Sequence, residues 1–176
     1  HGELFPKKIN HERWLEIVRA VHEAGIKTNA TMLYGHIETI EERVDHLITL
    51  RQLQDETKGF SAFIPLAFHS ENTKLTHIQS TTAVDDLKNV AAARLMLDNF
   101  DHIKAYWVMI GEKLAQVALS FGADDLDGTI IEERITHMAG AKSALGLTKE
   151  QMEDMIIKAG FEPVERDSFY NPINSS

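Results

Sequence analysis

The chain has 176 residues, with 27 acidic and 18 basic side chains, so its formal net charge at pH 7 is -9 and its pI is about 5.4. This balance argues against a nucleic-acid or anionic-membrane surface, because phosphate binding depends on clustered positive charge. Cysteine is absent, which excludes disulfides, thiolate zinc sites and any iron–sulfur cluster ligated from within these residues.

Length and hydrophobicity predict one domain that acts on a small molecule. The hydrophobic fraction of 43% is enough for a single core. We expect a domain over 1–176, with 1–9 as a connector and 161–176 as a surface tail. No apolar run is long enough to cross a bilayer and no leader is evident, which predicts a cytoplasmic protein. A start at His rather than Met fits processing, a tag remnant or a fragment.

The first half of the chain reads as helix, strand, helix, strand. A helix capped by Asn10 is predicted to end at Gly25, and a strand follows over 26–34. An amphipathic helix then begins near Glu38 and runs to about residue 58. The apolar stretch 60–68 predicts a buried strand, although a proline inside it is more typical of an edge or a bulge.

The second half continues the alternation. Thr81 or Thr82 is predicted to cap a helix, 103–110 is predicted to be a third strand, and a helix follows up to Gly122. Residues 123–128 fit a fourth strand or its tip. Two further helices are expected, near 131–138 and over 148–159, the second with a capping box.

Four strands alternating with helices predict an α/β fold with a parallel sheet. A complete (β/α)8 barrel usually needs about 250 residues. The chain is therefore either a small open sheet or the C-terminal half of a TIM-type barrel with added C-terminal helices. Distinctive polar clusters at the predicted strand ends favour the barrel.

Four polar clusters follow the predicted strands, at 34–38, 69–73, 111–113 and 124–128. Parallel strands would bring them to one rim, where barrel enzymes have their active sites. Each cluster also has a structural explanation. Glu38 suits a helix start, His36 is more often a structural hydrogen-bonding residue than a ligand, and aspartates can cap helices.

Residues 31–38, TMLYGHIE, resemble the GxIxGxxE pattern of radical S-adenosylmethionine (SAM) enzymes, with Thr31 in place of the first Gly and Leu33 in place of Ile. A longer set of segments is more specific. It resembles the C-terminal half of the aminodeoxyfutalosine synthase family over roughly residues 10–167. The segments are TNATMLYGHIET, ERVDHL, LRQLQDET, FIPLAFHSENT, DLKNVAAARLMLDN, HIKAYWVMIG, FGADDLDGT and HMAGA.

The resemblance implies that a 4Fe–4S cluster cleaves SAM reductively and that the 5'-deoxyadenosyl radical adds to the vinyl ether of 3-(1-carboxyvinyloxy)benzoate. Rearrangement and loss of bicarbonate then give 6-amino-6-deoxyfutalosine, on the futalosine route to menaquinone. The family's cluster ligands form a CxxxCxxC motif in the first half of the barrel. We therefore expect this chain to be inactive alone, to need the missing N-terminal half, and to form a homo-oligomer or swapped assembly that covers its open edges.

The resemblance also implies roles for individual residues. Leu33 would pack on the adenine and Glu38 would fix the turn, while side chains at the other strand ends would hold the substrate dicarboxylate or take part in the reaction. No metal site is expected from these residues. The candidates are Thr31, Leu33, Gly35 and Glu38 for SAM; His69, Asn72, Thr73 and Asp127 for substrate; and His36 and Asp125 for catalysis.

Two other enzyme functions remain open, as does a noncatalytic binding or assembly piece in which half a barrel docks onto its other half or onto itself. The sister enzymes cyclic dehypoxanthinylfutalosine synthase and the deazaflavin-precursor (FO) synthase subunits share similar strands, although ADDLDGT followed by HMAGA favours aminodeoxyfutalosine synthase. A metal-assisted hydrolase could instead use His36, His69 and the aspartates as ligands. A bound zinc or manganese ion would favour the hydrolase.

Overall fold

The structure, a computed structural model, describes residues 9–71, 73, 75–128 and 146–173. No helix within these ranges is both long and apolar enough to cross a lipid bilayer. The helix expected near 131–138 lies outside the described residues. The described elements are α1 (His11–Glu23), β1 (Thr28–Tyr34), α2 (Ile40–Thr57), β2 (Phe60–Ala67), α3 (Ala83–Met96), β3 (His102–Ile103), α4 (Trp107–Ile110), α5 (Glu112–Ala118), a 3-10 turn (Leu119–Phe121) and α6 (Lys149–Lys158).

Side-chain caps determine where most of the long helices begin. Asn10 accepts a hydrogen bond from the amide of Arg13 at 2.9 Å, and α1 starts at the next residue. Capping boxes precede α2, α3 and α6, with Thr39, Thr82 and Thr148 as the N-caps. In each box the two residues satisfy one another's free backbone amides. The helix starts predicted at Asn10 and Thr148 are confirmed, and of the two caps predicted for α3, Thr81 or Thr82, the structure has Thr82.

The three strands form one parallel sheet in the order β1-β2-β3. β1 pairs with β2 along its whole length, whereas β3 pairs with β2 only at Ala62 and Phe63. The alternation of helices with parallel strands is therefore confirmed. In the described part of the chain, the other edge of β1 has no neighbouring strand.

The predicted third strand over 103–110 is wrong over most of its length. β3 contains only His102 and Ile103, and Trp107–Ile110 is α4. Pro65 explains why the pairing stops. The amide of Lys104 donates to the carbonyl of Phe63, so the backbone groups of Phe63 point towards β3. Residues two apart in a strand point their backbone groups to the same side, so Pro65 also faces β3. Proline has no N–H and cannot extend the ladder. A short apolar run does not by itself distinguish a strand from a buried helix.

The fourth strand predicted at 123–128 is reduced to a single parallel bridge between Lys104 and Asp125. The aspartates of this segment bond nearby amides with their side chains. Asp124 Oδ1 accepts from the amide of Ile103 at 2.8 Å, and Asp125 Oδ1 accepts from the amide of Asp127 at 2.7 Å. These local hydrogen bonds compete with a regular ladder.

The two faces of the sheet have different surroundings. On one face Ala30, Met32 and Tyr34 are buried in the core beneath the helices. Side chains alternate along a strand, so the intervening residues lie on the opposite face, which we call the inner face. By strand position and register the inner face consists of Asn29, Thr31 and Leu33 of β1, Ala62, Ile64 and Leu66 of β2, and His102 and Lys104 at β3.

Candidate functional site

Residues 35–38, the rim turn, join the end of β1 to α2. Both oxygens of Glu38 accept backbone hydrogen bonds, from the amide of Gly35 at 2.5 Å and from that of His36 at 2.8 Å. Arg43 donates to the same carboxylate through Nε at 2.7 Å. Gly35 has a φ of +86°, a conformation that a side chain makes costly. One buried carboxylate therefore fixes the turn.

Glu38 is ionised in this arrangement. Its side chain is 10% exposed, and burial alone would raise the pKa of its carboxyl. The backbone hydrogen bonds from Gly35 and His36 outweigh that penalty, and the pKa is lowered overall. The carboxylate already accepts hydrogen bonds from the turn and from Arg43. It would therefore affect a bound nucleoside only by holding the turn in place.

His36 belongs to the same turn. Its Nε2 lies 3.1 Å from the carbonyl oxygen of Leu33 and its Nδ1 lies 2.7 Å from Glu38 Oε2. The ring also packs edge-on against Phe68, with the centroids 6.0 Å apart. Both ring nitrogens thus have partners within the protein, and the side chain is only 12% exposed. A catalytic role for His36 stays a prediction that would require it to change partners.

The end of β1 presents different residues on its two faces. Thr31 is exposed and Leu33 half-buried on the inner face. On the core face Tyr34 donates a 2.8 Å hydrogen bond to the buried carboxylate of Asp86. Burial raises the pKa of the Tyr34 phenol, and the neighbouring negative charge of Asp86 raises it further. Only the inner face therefore offers apolar surface to a ligand.

A second group of candidates lies beyond β2, beside a cavity of about 680 Å³. His69 lines this cavity, and its Nε2 lies 2.9 Å from the carbonyl oxygen of Met109. Thr73 is bound within its own loop, where its hydroxyl donates to the carbonyl of Ser70 at 2.8 Å. The predicted substrate residue Asn72 lies outside the described residues. The cavity is also lined by Phe68, Thr81, Asp86, Gly111 and Lys113.

The remaining candidates, Asp125 and Asp127, form an ion-pair cluster with Lys104 and Arg166. Arg166 donates two hydrogen bonds to the carboxylate of Asp125, from Nε to Oδ2 and from Nη2 to Oδ1 at 3.0 Å. Lys104 Nζ lies 2.5 Å from Asp127 Oδ1 and 3.9 Å from Asp125 Oδ1. The side chains of Lys104 and Asp125 are only 5% and 8% exposed. We call these four residues the ion-pair cluster.

The ion-pair cluster holds Asp125 in its charged form. Burial by itself would raise the pKa of Asp125, but the hydrogen bonds from Arg166 and the charge of Lys104 lower it overall. Burial by itself would lower the pKa of the Lys104 ammonium group, but its bond to Asp127 outweighs that effect and the pKa is raised overall. A carboxylate held in this way is a poor proton acceptor, so a proton-transfer role for Asp125 stays a prediction.

Several residues of these sites were not predicted. Arg166 and Tyr170 come from the segment expected to be a surface tail, and Tyr170 stacks on His102 with ring centroids 4.5 Å apart. Lys104 did carry a signal, because a charged residue inside an apolar run requires a partner when it is buried. Arg43 also carried a signal, since it lies only five residues after Glu38. The tail residues had none, because their partners are distant in the sequence.

The candidates thus form two adjoining groups and one apart from them. The rim turn with the end of β1 adjoins the cavity beyond β2 through Phe68 and Thr81, and the ion-pair cluster is the third group. Among the residues that the structure describes, no three or more His, Asp or Glu side chains are arranged to hold a metal ion. His36 and His69 each have a protein carbonyl as a partner. This geometry gives no support to the hydrolase alternative.

The parallel sheet, the helical connections and the polar residues beyond the strand ends define an α/β protein of the repeated βα class. Residues 57–176 match the family described as the CofH/MqnC C-terminal region. The chain belongs to this family.

Individual relatives carry two different names. The chain is 56% identical over 170 residues to aminodeoxyfutalosine synthase of Thermus thermophilus, covering 94% of the chain and 46% of the relative. It is 46% identical to aminodeoxyfutalosine synthase of Streptomyces coelicolor, covering 90% of the chain and 44% of the relative. It is also 42% identical to 5-amino-6-(D-ribitylamino)uracil–L-tyrosine 4-hydroxyphenyl transferase 2 of Methanosarcina mazei, covering 97% of the chain and 46% of the relative. The chain spans about half the length of these curated relatives.

Proposed function

We propose that the chain is the C-terminal half of a radical SAM barrel that makes 6-amino-6-deoxyfutalosine from SAM and 3-(1-carboxyvinyloxy)benzoate. The observation that carries this proposal is the 56% identity to the Thermus aminodeoxyfutalosine synthase over nearly the whole chain. The rim turn adds physical support, because the GxIxGxxE-like segment forms a rigid turn at the end of a parallel strand.

The open edge of β1 supports the proposed half-barrel. Barrels close by pairing every strand with two neighbours, and the relatives are about twice as long as this chain. The N-terminal half would supply the strand that pairs with β1. It would also supply the cysteines for the 4Fe–4S cluster, since this chain has none. Alone, the chain is expected to be inactive and to cover its edge by self-association.

The end of β1 fits a bound nucleoside. Leu33 offers a half-buried apolar surface on the inner face next to the rim turn, and Thr31 is exposed one position earlier on the same face. Gly35 and Glu38 keep the backbone of the turn in place. In this proposal Leu33 packs on the adenine and Thr31 lies beside it. When bound, SAM supplies the 5'-deoxyadenosyl group that joins the substrate.

The substrate would lie on the same inner face and towards the loop after β2. His69 and the neighbouring Asn72 and Thr73 are our candidates for its two carboxylates, and Asp127, 29% exposed, borders the inner face near Lys104. His36 and Asp125 are proposed to act by holding the turn and the ion-pair cluster in place.

Replacing Leu33 by Asp is expected to weaken SAM binding at least 10-fold, because a carboxylate on the adenine surface must be desolvated. The measurement is calorimetric SAM binding to the assembled enzyme, meaning the N-terminal half of the Thermus relative joined to this chain, with its cluster reconstituted. Ile40→Asp is the matched control, since Ile40 is 71% exposed at the start of α2. An unchanged SAM affinity in Leu33→Asp would refute the assignment.

The relationship to the Methanosarcina transferase provides the second candidate, because its name specifies L-tyrosine as a reactant. The deciding experiment gives the assembled enzyme SAM, a reductant and either 3-(1-carboxyvinyloxy)benzoate or L-tyrosine with 5-amino-6-(D-ribitylamino)uracil. We expect an adenosyl adduct from the vinyl ether only. Product from the tyrosine mixture alone would replace the proposed function by the second candidate.

A further inference from the structure

Tyr170 lies across the inner face at the end of the sheet opposite the rim turn. Asn29, Ala62 and His102 form one row across the three strands. The Tyr170 ring stacks on His102 with an interplanar angle of 14°, and its hydroxyl oxygen lies 3.5 Å from Asn29 Oδ1. The side chain therefore reaches from β3 to β1 across Ala62.

The residues beneath the ring and the backbone of Tyr170 both fit this placement. Ala62 is completely buried although it lies on the inner face, and its methyl group leaves room for an aromatic ring above it. Tyr170 itself has a φ of +66°, a conformation that costs energy for any residue with a side chain. The contacts of the ring must compensate that cost, which indicates that the position of Tyr170 is specified.

Arg166 attaches the same segment to the ion-pair cluster. Its guanidinium lies 4.3 Å from the centroid of the Tyr170 ring and grips Asp125 with two nitrogens. Lys104 Nζ lies 5.5 Å from the same ring centroid. The ring, the two cations and the carboxylate thus form one continuous contact between the tail and the sheet.

We propose that residues 166–172 are the floor of the reaction chamber, with Tyr170 as a positioning residue that closes the inner face and Arg166 as its anchor. This inference rests on the proposed function, because the inner face becomes a chamber only when the other half of the barrel covers it. Leu33 lies four positions after Asn29 along β1, so the floor lies about 13 Å below the proposed adenine surface.

A closed floor has a chemical consequence. Excluding water and holding the substrate at a fixed depth keep a reactive group directed at its partner. Without the floor, the substrate could settle too deep to meet the adenosyl group, and SAM would be cleaved without forming product. The floor therefore predicts a change in how cleaved SAM is divided between adduct and free 5'-deoxyadenosine, with no change in SAM affinity.

The first test measures the anchoring of the tail in the 176-residue chain. Trypsin can cut after Arg166 only when its side chain leaves Asp125. We expect Tyr170→Ala to speed this cut roughly 10-fold, because a ring stack and a cation–π contact are lost. Tyr170→Phe keeps both contacts and loses only the bonds of the hydroxyl group to Asn29 and Lys104, so its rate should stay close to that of the wild type. Phe169→Ala is the matched control, since that adjacent ring is 79% exposed.

The second test uses the assembled enzyme with SAM, reductant and 3-(1-carboxyvinyloxy)benzoate. Tyr170→Ala should raise the ratio of free 5'-deoxyadenosine to adduct severalfold at unchanged SAM affinity, while Tyr170→Phe and Phe169→Ala keep the wild-type ratio. Equal trypsin rates in Tyr170→Ala and wild type would overturn the anchoring. A loosened tail with an unchanged ratio would overturn the floor. A wild type that forms no adduct contradicts the proposed function, and the trypsin rates still decide the anchoring.

Discussion

Replacing Asp125 by Ala is expected to lower the free energy of unfolding by about 3 kcal/mol, because Arg166 loses its bidentate partner and the two cations of the ion-pair cluster must share Asp127. Lys104 and Asp125 are nearly inaccessible, at 5% and 8% exposed, and Arg166 loses both of its bonds to the carboxylate. A loss of this size is a large share of the roughly 5–15 kcal/mol that stabilises a typical domain. Chemical denaturation of the 176-residue chain measures it.

Two further variants separate the ion pair from a general effect of losing an aspartate. Asp98→Ala removes a surface partner of Arg51 that is 67% exposed, and it should cost no more than about 1 kcal/mol. The double variant Asp125→Ala/Arg166→Ala should be less destabilised than the sum of its single changes, since no unpaired guanidinium remains. Additive losses would contradict a coupled pair.

The pH dependence of stability provides an independent check on Asp125. Its pKa in the folded chain lies below the ordinary value of 3.8, so the unfolded chain binds the proton more readily. The stabilisation is therefore complete above that value and is lost as the pH falls through the folded pKa. We expect Asp125→Ala to show a shallower fall in stability below pH 3.8 than the wild type. Identical acid profiles would contradict the ionised cluster.

Replacing Gly35 by Ala is expected to destabilise the chain by about 2–4 kcal/mol, the sum of left-handed backbone strain and overpacking. A Cβ at this position would lie 2.3 Å from Cγ2 of Thr81, which is too close for two non-bonded carbon atoms, so one of them must move. In the assembled enzyme the displaced turn should also weaken SAM binding severalfold. Denaturation of the chain and calorimetry of the assembled enzyme measure the two effects.

Gly25→Ala is the matched control for this change. Gly25 has a similar φ of +80° but no atom within 4 Å of an added Cβ, so it carries the backbone strain alone, about 1–2 kcal/mol. The extra cost at Gly35 should disappear in Gly35→Ala/Thr81→Ala, where the clashing methyl group is removed. Equal losses in the two single variants would show that Thr81 does not crowd the turn.

The parts of the fold that depend on local chemistry were predictable from the sequence. A threonine N-cap needs only its neighbours three residues away, so the starts of α3 and α6 followed from short segments. The third strand was mispredicted because the same apolar run suits a buried strand and a buried helix. The outcome depended on Pro65, which lies in a different strand and has no amide to donate.

The candidate site likewise contains contacts that the sequence predicted and contacts that it did not. The motif implied that Glu38 would fix the turn, and its bond to the amide of Gly35 spans only three residues. The ion pair of Arg166 with Asp125 spans 41 residues, and the contact of Tyr170 with Asn29 spans 141. Such pairs are set by the path of the chain in space, and a single sequence contains no local pattern for them.

Hydrogen–deuterium exchange across β1 tests the half-barrel most directly. Thr28 and Tyr34 bond towards β2, so the alternate amides of Asn29, Thr31 and Leu33 face the open edge. In the 176-residue chain, diluted until self-association no longer covers the edge, these amides should exchange quickly, and in the assembled enzyme they should slow roughly 100-fold or more as a new strand pairs with them. Equal exchange of the 28–34 peptide in both forms would contradict a barrel completed at this edge.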